Sequence, residues 1–289
     1  MNAIVTGHVH SPGRMALQRF AANRAAMTAS VLLALIVLAC VIGPMLAPWQ
    51  MDDIDWTMMQ VPPGIEAGHW FGTDALGRDL FVRTLEGGRV SLAVGIAATL
   101  VSLVIGIAWG AIAGYAGGRV DAVMMRIVDV MYALPFMFFV ILLMVFFGRN
   151  FLLVFVAIGA VNWLDMARIV RGQTLSIREK EYVLAARALG VHPFTIVLRH
   201  VVPNLLGVVV VYAALTVPQV ILVESFLGFL GLGVQEPATS WGMLVNEGAR
   251  EMEFAPWSLL FPAGFLASTL LCLNFVGDGL RDALDPKDE

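Results

Sequence analysis

Three carboxylates, Asp129, Asp165 and Glu224, stand inside long apolar stretches of this chain. An ionised carboxylate away from bulk water is costly unless protein or trapped water faces it, and such a group can relay a proton or hold a cation. Asp129 follows Arg126 by three residues and Asp165 precedes Arg168 by three, a spacing at which helical neighbours meet. Local ion pairs are therefore expected for both. Glu224 has no such neighbour, and either lines a polar path or pairs with a backbone group or an arginine inside the bundle. His69, His192 and His200 show no ligand spacing, His8-x-His10 is a weak metal signal, and no metal site is expected. Cys40 and Cys272 are isolated in apolar runs, which excludes a disulfide framework or a cysteine zinc site. The only lysines, Lys180 and Lys287, precede Glu181 and Asp288, so no Gly-Lys-Ser/Thr loop exists to cradle phosphates. No nucleophile–base pair appears either, and the chain is not expected to be an enzyme.

Recognition rather than reaction is written in the polar stretch Glu179–Asn204, EKEYVLAARALGVHPFTIVLRHVVPN. Good helix formers fill Glu179 to Leu189, and Gly190 suits the left-handed residue that stops a helix. Glu181, Leu184, Ala185 and Ala188 share one face at three- and four-residue steps. A short helix with a small-residue face can seat in a partner's groove, and Pro203 marks the return to apolar sequence. The competing reading is an amphipathic helix on a lipid surface, which Arg178, Lys180, Arg187 and Arg199 would also suit.

The elements that must position these groups are membrane helices. The 289 residues are 59% hydrophobic and 14% charged, with mean hydropathy +0.81. An ordinary soluble domain is nearer half apolar and a quarter charged, so most of this surface must face lipid or apolar protein. No basic stripe offers itself to nucleic acid. Six segments approach the ~20 apolar residues a crossing needs: 26–47, 91–115, 122–147, 151–170, 205–226 and 257–276. The first is longer than a signal-peptide core and has no small-x-small exit; it reads as a retained helix. The third carries Asp129 and Pro135, which predicts a kink. Thirteen of the eighteen Lys and Arg fall on the side holding both termini and the 179–204 loop, which places that side in the cytoplasm. The division is a cytoplasmic tail 1–25, a first helix 26–47, a periplasmic loop 48–90, a core 91–280 containing the loop 173–204, and a cytoplasmic tail 281–289. Gly106, Gly110, Gly114 and Gly118 repeat every four residues and form a stripe that lets helix backbones approach closely.

Several of these stretches, taken in order, carry a family resemblance. The 179–204 loop resembles the cytoplasmic loop by which permeases of ATP-binding-cassette (ABC) importers grip their ATPases. Its pattern is Glu-Ala-Ala, three residues, Gly, nine residues, Ile, one residue, Leu-Pro. Ala185, Ala186, Gly190 and Pro203 match in register, while Leu184, His200 and Val202 replace the Glu, Ile and Leu. Phe71-Gly-Thr-Asp-Ala-Leu-Gly-Arg-Asp79, Gly87-Gly88-Arg89, Glu224-Ser225, Phe229-Leu-Gly-Leu-Gly233 and Ser240-Trp-Gly242 resemble the C-type permease subunits of the peptide and nickel importers. The segments 136–143 and 163–174 are most similar to the oligopeptide branch. The resemblance covers roughly 19–287 and implies an all-α, six-helix, type I importer fold with a cytoplasmic coupling helix. It implies a bacterial inner-membrane complex with a second, homologous permease, two cytoplasmic ATPases that bind ATP and Mg, and an extracytoplasmic peptide-binding protein; this chain itself needs no cofactor. On this pattern the ATPase-docking residues are Glu181, Leu184, Ala185, Ala186, Gly190 and Pro203. Glu181, one turn earlier, is a candidate to stand in for the Glu missing at Leu184, and Glu224 is a candidate for the translocation path beside the bundle pairing given above. The alternative, a proton-coupled carrier working through Glu224, Asp129 and Asp165, would show two repeated halves, and none is evident.

Overall fold

The computed structural model describes residues 12–64, 68–147 and 151–284. The His8-x-His10 pair and Lys287 of the sequence reading lie outside the described residues.

Helices are the only regular elements among the described residues. A short α1 (Pro12–Ala22) leads through Asn23 into α2 (Arg24–Leu46), and the Asn23 side chain caps the new helix by accepting from the Ala26 amide at 3.1 Å. The outer face of α2 is a continuous apolar band of Val31, Leu32, Leu35, Leu38, Val41 and Ile42, all exposed. The long α3 (Leu80–Ala116) is followed by α4 (Gly118–Ala133), α5 (Phe136–Phe147) and α6 (Phe151–Arg178). Then come the short α7 (Glu181–Ala188), a long α8 (Pro193–Phe229), α9 (Trp241–Glu251) and α10 (Trp257–Leu284). Among the described residues α2, α3, α8 and α10 are long and apolar enough to cross a membrane.

Two expected boundaries are corrected. The second segment begins at Leu80 rather than 91, which shortens the preceding loop to 47–79. Residues 80–90 read as polar because they contain Arg83, Glu86, Arg89 and two glycines, yet Asp79 caps the helix by accepting from Val82 at 2.8 Å. Arg89 meanwhile donates through Nε to the Cys40 carbonyl at 2.6 Å. The third segment is two helices. Leu134 is held extended by the Pro135 that follows, so α4 ends there and α5 restarts at Phe136.

The bundle is seamed where α3 lacks side chains. Met166 faces Gly106, Ala167 and Val170 face Gly110, and Thr174 faces Gly114; a Cβ at any of the three would overlap α6. The matching order means that α3 and α6 run in the same direction. Gly118, expected in the stripe, is corrected: Gly117 (φ +65°) ends the helix one turn early, so Gly118 (φ +54°) opens α4 with nothing near it.

Candidate functional site

The 179–204 loop folds as a short helix with two unlike faces. Gly190 adopts φ +76°, which turns the chain after Leu189, and the end is closed by the paired bonds Gly190 N–H to Arg187 C=O (3.0 Å) and Val191 N–H to Ala186 C=O (3.1 Å). Val183 and Ala186 point inward and join Ile196 and Val201 in a buried cluster with Met166, Val170 and Ile177 of α6 and Leu205 and Val209 of α8. Glu181, Leu184, Ala185 and Ala188 face outward, with Leu189 beside them at 82% exposure. The structure therefore divides the sequence-derived set: Glu181, Leu184, Ala185 and Gly190 lie on the free side, and Ala186 is buried and holds the helix to its own protein. Ala186 is corrected on that ground, since helical spacing places it one residue round from the exposed face. Pro203 is exposed in the first turns of α8, just after a π-helical turn at Val197–Val201. A proline cannot donate to the preceding turn, and the looser turn precedes it directly. Tyr182, Phe194 and Leu198 add exposed apolar surface that the loop pattern did not single out.

The loop is anchored at its entrance as well. Arg178 donates to the Gly114 carbonyl at 3.1 Å, tying the end of α6 to the end of α3. Arg171 grips Asp121 of α4 with two bonds of 2.5 and 2.6 Å.

Glu224 matches neither expected environment in full. It is 0% exposed, accepts from Ser91 Oγ of α3 at 3.0 Å and from its neighbour Ser225 at 3.4 Å, and Ser91 in turn accepts from the Trp241 amide of α9 at 3.2 Å. It ties three helices together through hydroxyls, with no arginine bonded to it and no open surface. Ser91 and Ser225 stand far apart in sequence on different helices, and their convergence on one carboxylate has no spacing signature.

The local pairs expected for Asp129 and Asp165 are corrected to a cross-helix cluster. Arg168 of α6 donates to Asp129 of α4 at 2.8 Å and lies 4.1 Å above the Tyr132 ring, while the Tyr132 hydroxyl donates to Asp165. The three-residue spacing was met by better partners on the facing helix, and Tyr132 carried no signal of its own.

The opposite end of the bundle is a cap built from 47–79 and α9. Here Asp74 accepts at Oδ1 from the Leu76 and Arg78 amides (2.9 Å each) and at Oδ2 from Arg78 Nε (2.7 Å) and from Arg83. Arg83, 2% exposed, also reaches Glu247 of α9 at 2.9 Å, and Arg78 reaches Glu236 at 2.8 Å. His69 pairs with the capping Asp79 at 2.8 Å and stacks on Trp49. The Gly-Thr-Asp-Ala-Leu-Gly-Arg-Asp79 motif is thus structural. Thr73 bridges Met58 and Val61, Asp74 and Arg78 form the ion pairs, and Gly77 (φ +75°) passes so close to Asp55 that a Cβ would overlap its carbonyl.

Comparison with known proteins adds what geometry cannot. Residues 106–287 match the family described as binding-protein-dependent transport system inner membrane component, and residues 11–63 match the N-terminal transmembrane domain of oligopeptide transport permease C. The chain is 61% identical to the Escherichia coli K12 oligopeptide transport system permease protein OppC, over 94% of this chain and 90% of that one. It is 56% identical to the Haemophilus influenzae OppC (94% and 88%) and 46% identical to the Bacillus subtilis dipeptide transport system permease protein DppC (94% and 85%).

Proposed function

The chain belongs to the inner-membrane components of binding-protein-dependent transport systems, as a multi-pass permease subunit of a peptide ABC importer, and from that premise we propose how it performs its part. It crosses the membrane six times. The shared direction of α3 and α6 supports this count, because α4 and α5 must return the chain between them. Charge supports the orientation: with thirteen of eighteen Lys and Arg on one side, both termini and α7 are cytoplasmic and the cap is periplasmic.

A second, homologous permease completes the path, an extracytoplasmic binding protein delivers the peptide, and two ATPase subunits bind ATP and Mg below. The chain is not itself catalytic. Oligopeptides are the favoured cargo, since the Escherichia coli and Haemophilus influenzae oligopeptide permeases, at 61% and 56% identity, are more similar to this chain than the dipeptide permease at 46%, while the Bacillus subtilis oligopeptide permease, at 44%, does not separate the two. The comparisons lend no support to a proton-coupled carrier.

The observation that carries this reading is the two-faced α7. Its outward Leu184 and Leu189 present apolar surface left uncovered by the described residues, and its inward Val183 and Ala186 are packed against α6 and α8. An ATPase gripping the outer face pulls directly on two long helices. Glu181, also outward, takes the place of the Glu that the family has at Leu184. Gly190→Val tests the link. A β-branched residue is strained at φ +76°, so ATPase pull-down and peptide-stimulated ATP hydrolysis by the reconstituted complex are both expected to fall while membrane insertion is kept. Normal values of both would remove α7 as the coupling helix.

A further inference from the structure

Two faces of α4 are exposed, and they differ in kind. Val120, Val123, Ile127 and Val130 recur at three- and four-residue steps and form an apolar stripe like that of α2. Arg119, Ala122, Arg126, Asp129 and Ala133 recur at the same steps on the adjoining face, with Tyr132 at its edge. On α6 the contrast is sharper: from residue 161 to 178 the exposed positions are Asp165, Arg168, Gly172, Gln173 and Ser176, without one large apolar side chain. The Asp129–Arg168–Tyr132–Asp165 cluster joins the two polar faces into one surface. Along the helix axis Asp165 lies ~20 Å from the Arg178 end of α6, well inside a hydrocarbon layer ~30 Å thick.

We propose that this joined polar face of α4 and α6 is the wetted wall of the translocation path, against which the hydrated peptide passes. The inference deepens the transport reading given above and rests on it. Charged groups at this depth must face protein or water rather than lipid. Water is favoured by charge: the centre of a protein interface is depleted in charged groups, whereas this face carries the half-exposed ions Asp129 and Arg168 together with exposed Arg126 and Gln173.

Single cysteines in the assembled complex test this. Ala133→Cys and Gly172→Cys lie on the proposed wall, and no Cβ neighbour crowds Gly172. Val130→Cys lies at nearly the same depth on the apolar stripe of the same helix. With a small hydrophilic methanethiosulfonate reagent, the two wall cysteines are expected to react ~10-fold faster or more than Val130→Cys, because only a hydrated thiol ionises readily, and bound peptide should slow them. Equal rates at all three positions would overturn the proposal. So would unreactive wall cysteines that cross-link to the second permease, which would make the face a subunit interface. The labelling does not depend on transport, so wetted cysteines in a complex that fails to import any peptide would refute the substrate reading and leave the wall standing.

Discussion

The cap and the α7 loop solve the same problem, holding irregular chain at the end of a helical bundle, in opposite ways. In the cap the buried charges Asp74, Asp79 and Arg83 are answered within the chain. Trp241 donates to the Thr84 carbonyl at 2.9 Å, Trp257 to the Thr73 carbonyl at 3.1 Å, and Arg83 is enclosed by Asp74 and Glu247. Three of its glycines are places where no side chain fits: Gly77 abuts Asp55, Gly72 abuts Val61 and Trp257, and Gly242 abuts Ser225. At α7 the positive-φ glycine stands in open space, and Leu184, Leu189 and Phe194 are uncovered. A motif of glycines and charges can therefore record internal closure, while a plainer loop leaves a surface open, the one proposed above to receive an ATPase. The Gly-Thr-Asp motif and the Ala-Ala-x3-Gly motif look alike as family marks, yet the first lies wholly within the fold, while the second is divided between buried Ala186 and exposed Ala185 and Gly190.

The largest expected difference between the two ends comes from Arg83. Arg83→Ala leaves Asp74 and Glu247 without their buried cation, which costs on the order of 3–5 kcal/mol when one partner of a buried pair is removed. The detergent-purified complex should show a clear drop in apparent Tm. A variant with unchanged Tm would mean that the cap contributes little to stability. A smaller contrast is set by the glycines. Gly77→Ala combines a left-handed backbone with an overlap on Asp55, and overpacking alone costs about 1–3 kcal/mol. Gly190→Ala meets no atom and should lose only the ~1–2 kcal/mol of the left-handed conformation. Thermal unfolding of the pair side by side reads the difference, and equal losses would erase the distinction between a crowded and an open end.

The smallest effect is a pH dependence confined to the cap. Arg78, bonded to Glu236, holds that carboxyl below its ordinary value of 4.5. A depressed folded pKa gives stability that is present above the unfolded value and is lost as pH falls through the folded one. Glu236 is largely exposed, so the contribution is about 0.2–1 kcal/mol after solvent screening. The Tm of the natural protein should exceed that of Glu236→Gln near neutral pH, with the gap closing below pH ~4.5. A gap that persists at low pH would show that the pair acts through packing and not through charge.

How far the sequence could be read follows the same division. Apolar length located the long helices, Pro135 announced its break, and Gly190 marked the end of α7, because each is a local property of the chain. The start of α3 at Leu80 was hidden because Arg83 and Arg89 find their partners in Glu247 and Cys40, far away in sequence. Helical spacing put Glu181, Leu184, Ala185 and Ala188 on one face, and only the family pattern added Ala186; neither could say which side the bundle would take. It took Ala186. For Asp129 and Asp165 the local arginines were visible and the facing helix was not, so the pairing was assigned within helices where the structure makes it between them. The serines that hold Glu224 could not be foreseen from any one segment, since they meet only once α3, α8 and α9 are packed.

The glycine seam between α3 and α6 has a mechanical consequence. Met166, Val170 and Thr174 sit in successive notches of α3, so the two helices engage like a rack and its teeth and resist sliding by anything less than a full turn, about 5.4 Å. A tilt imparted to α6 from its lower end is therefore carried by α3 as well. That helix is 37 residues long, a strut of ~55 Å, and its far end is the Asp79 cap with Arg83 just inside it. If α7 receives an ATPase as proposed, a push there reaches the Asp79 cap at the far end of the bundle with α3 as the connecting rod.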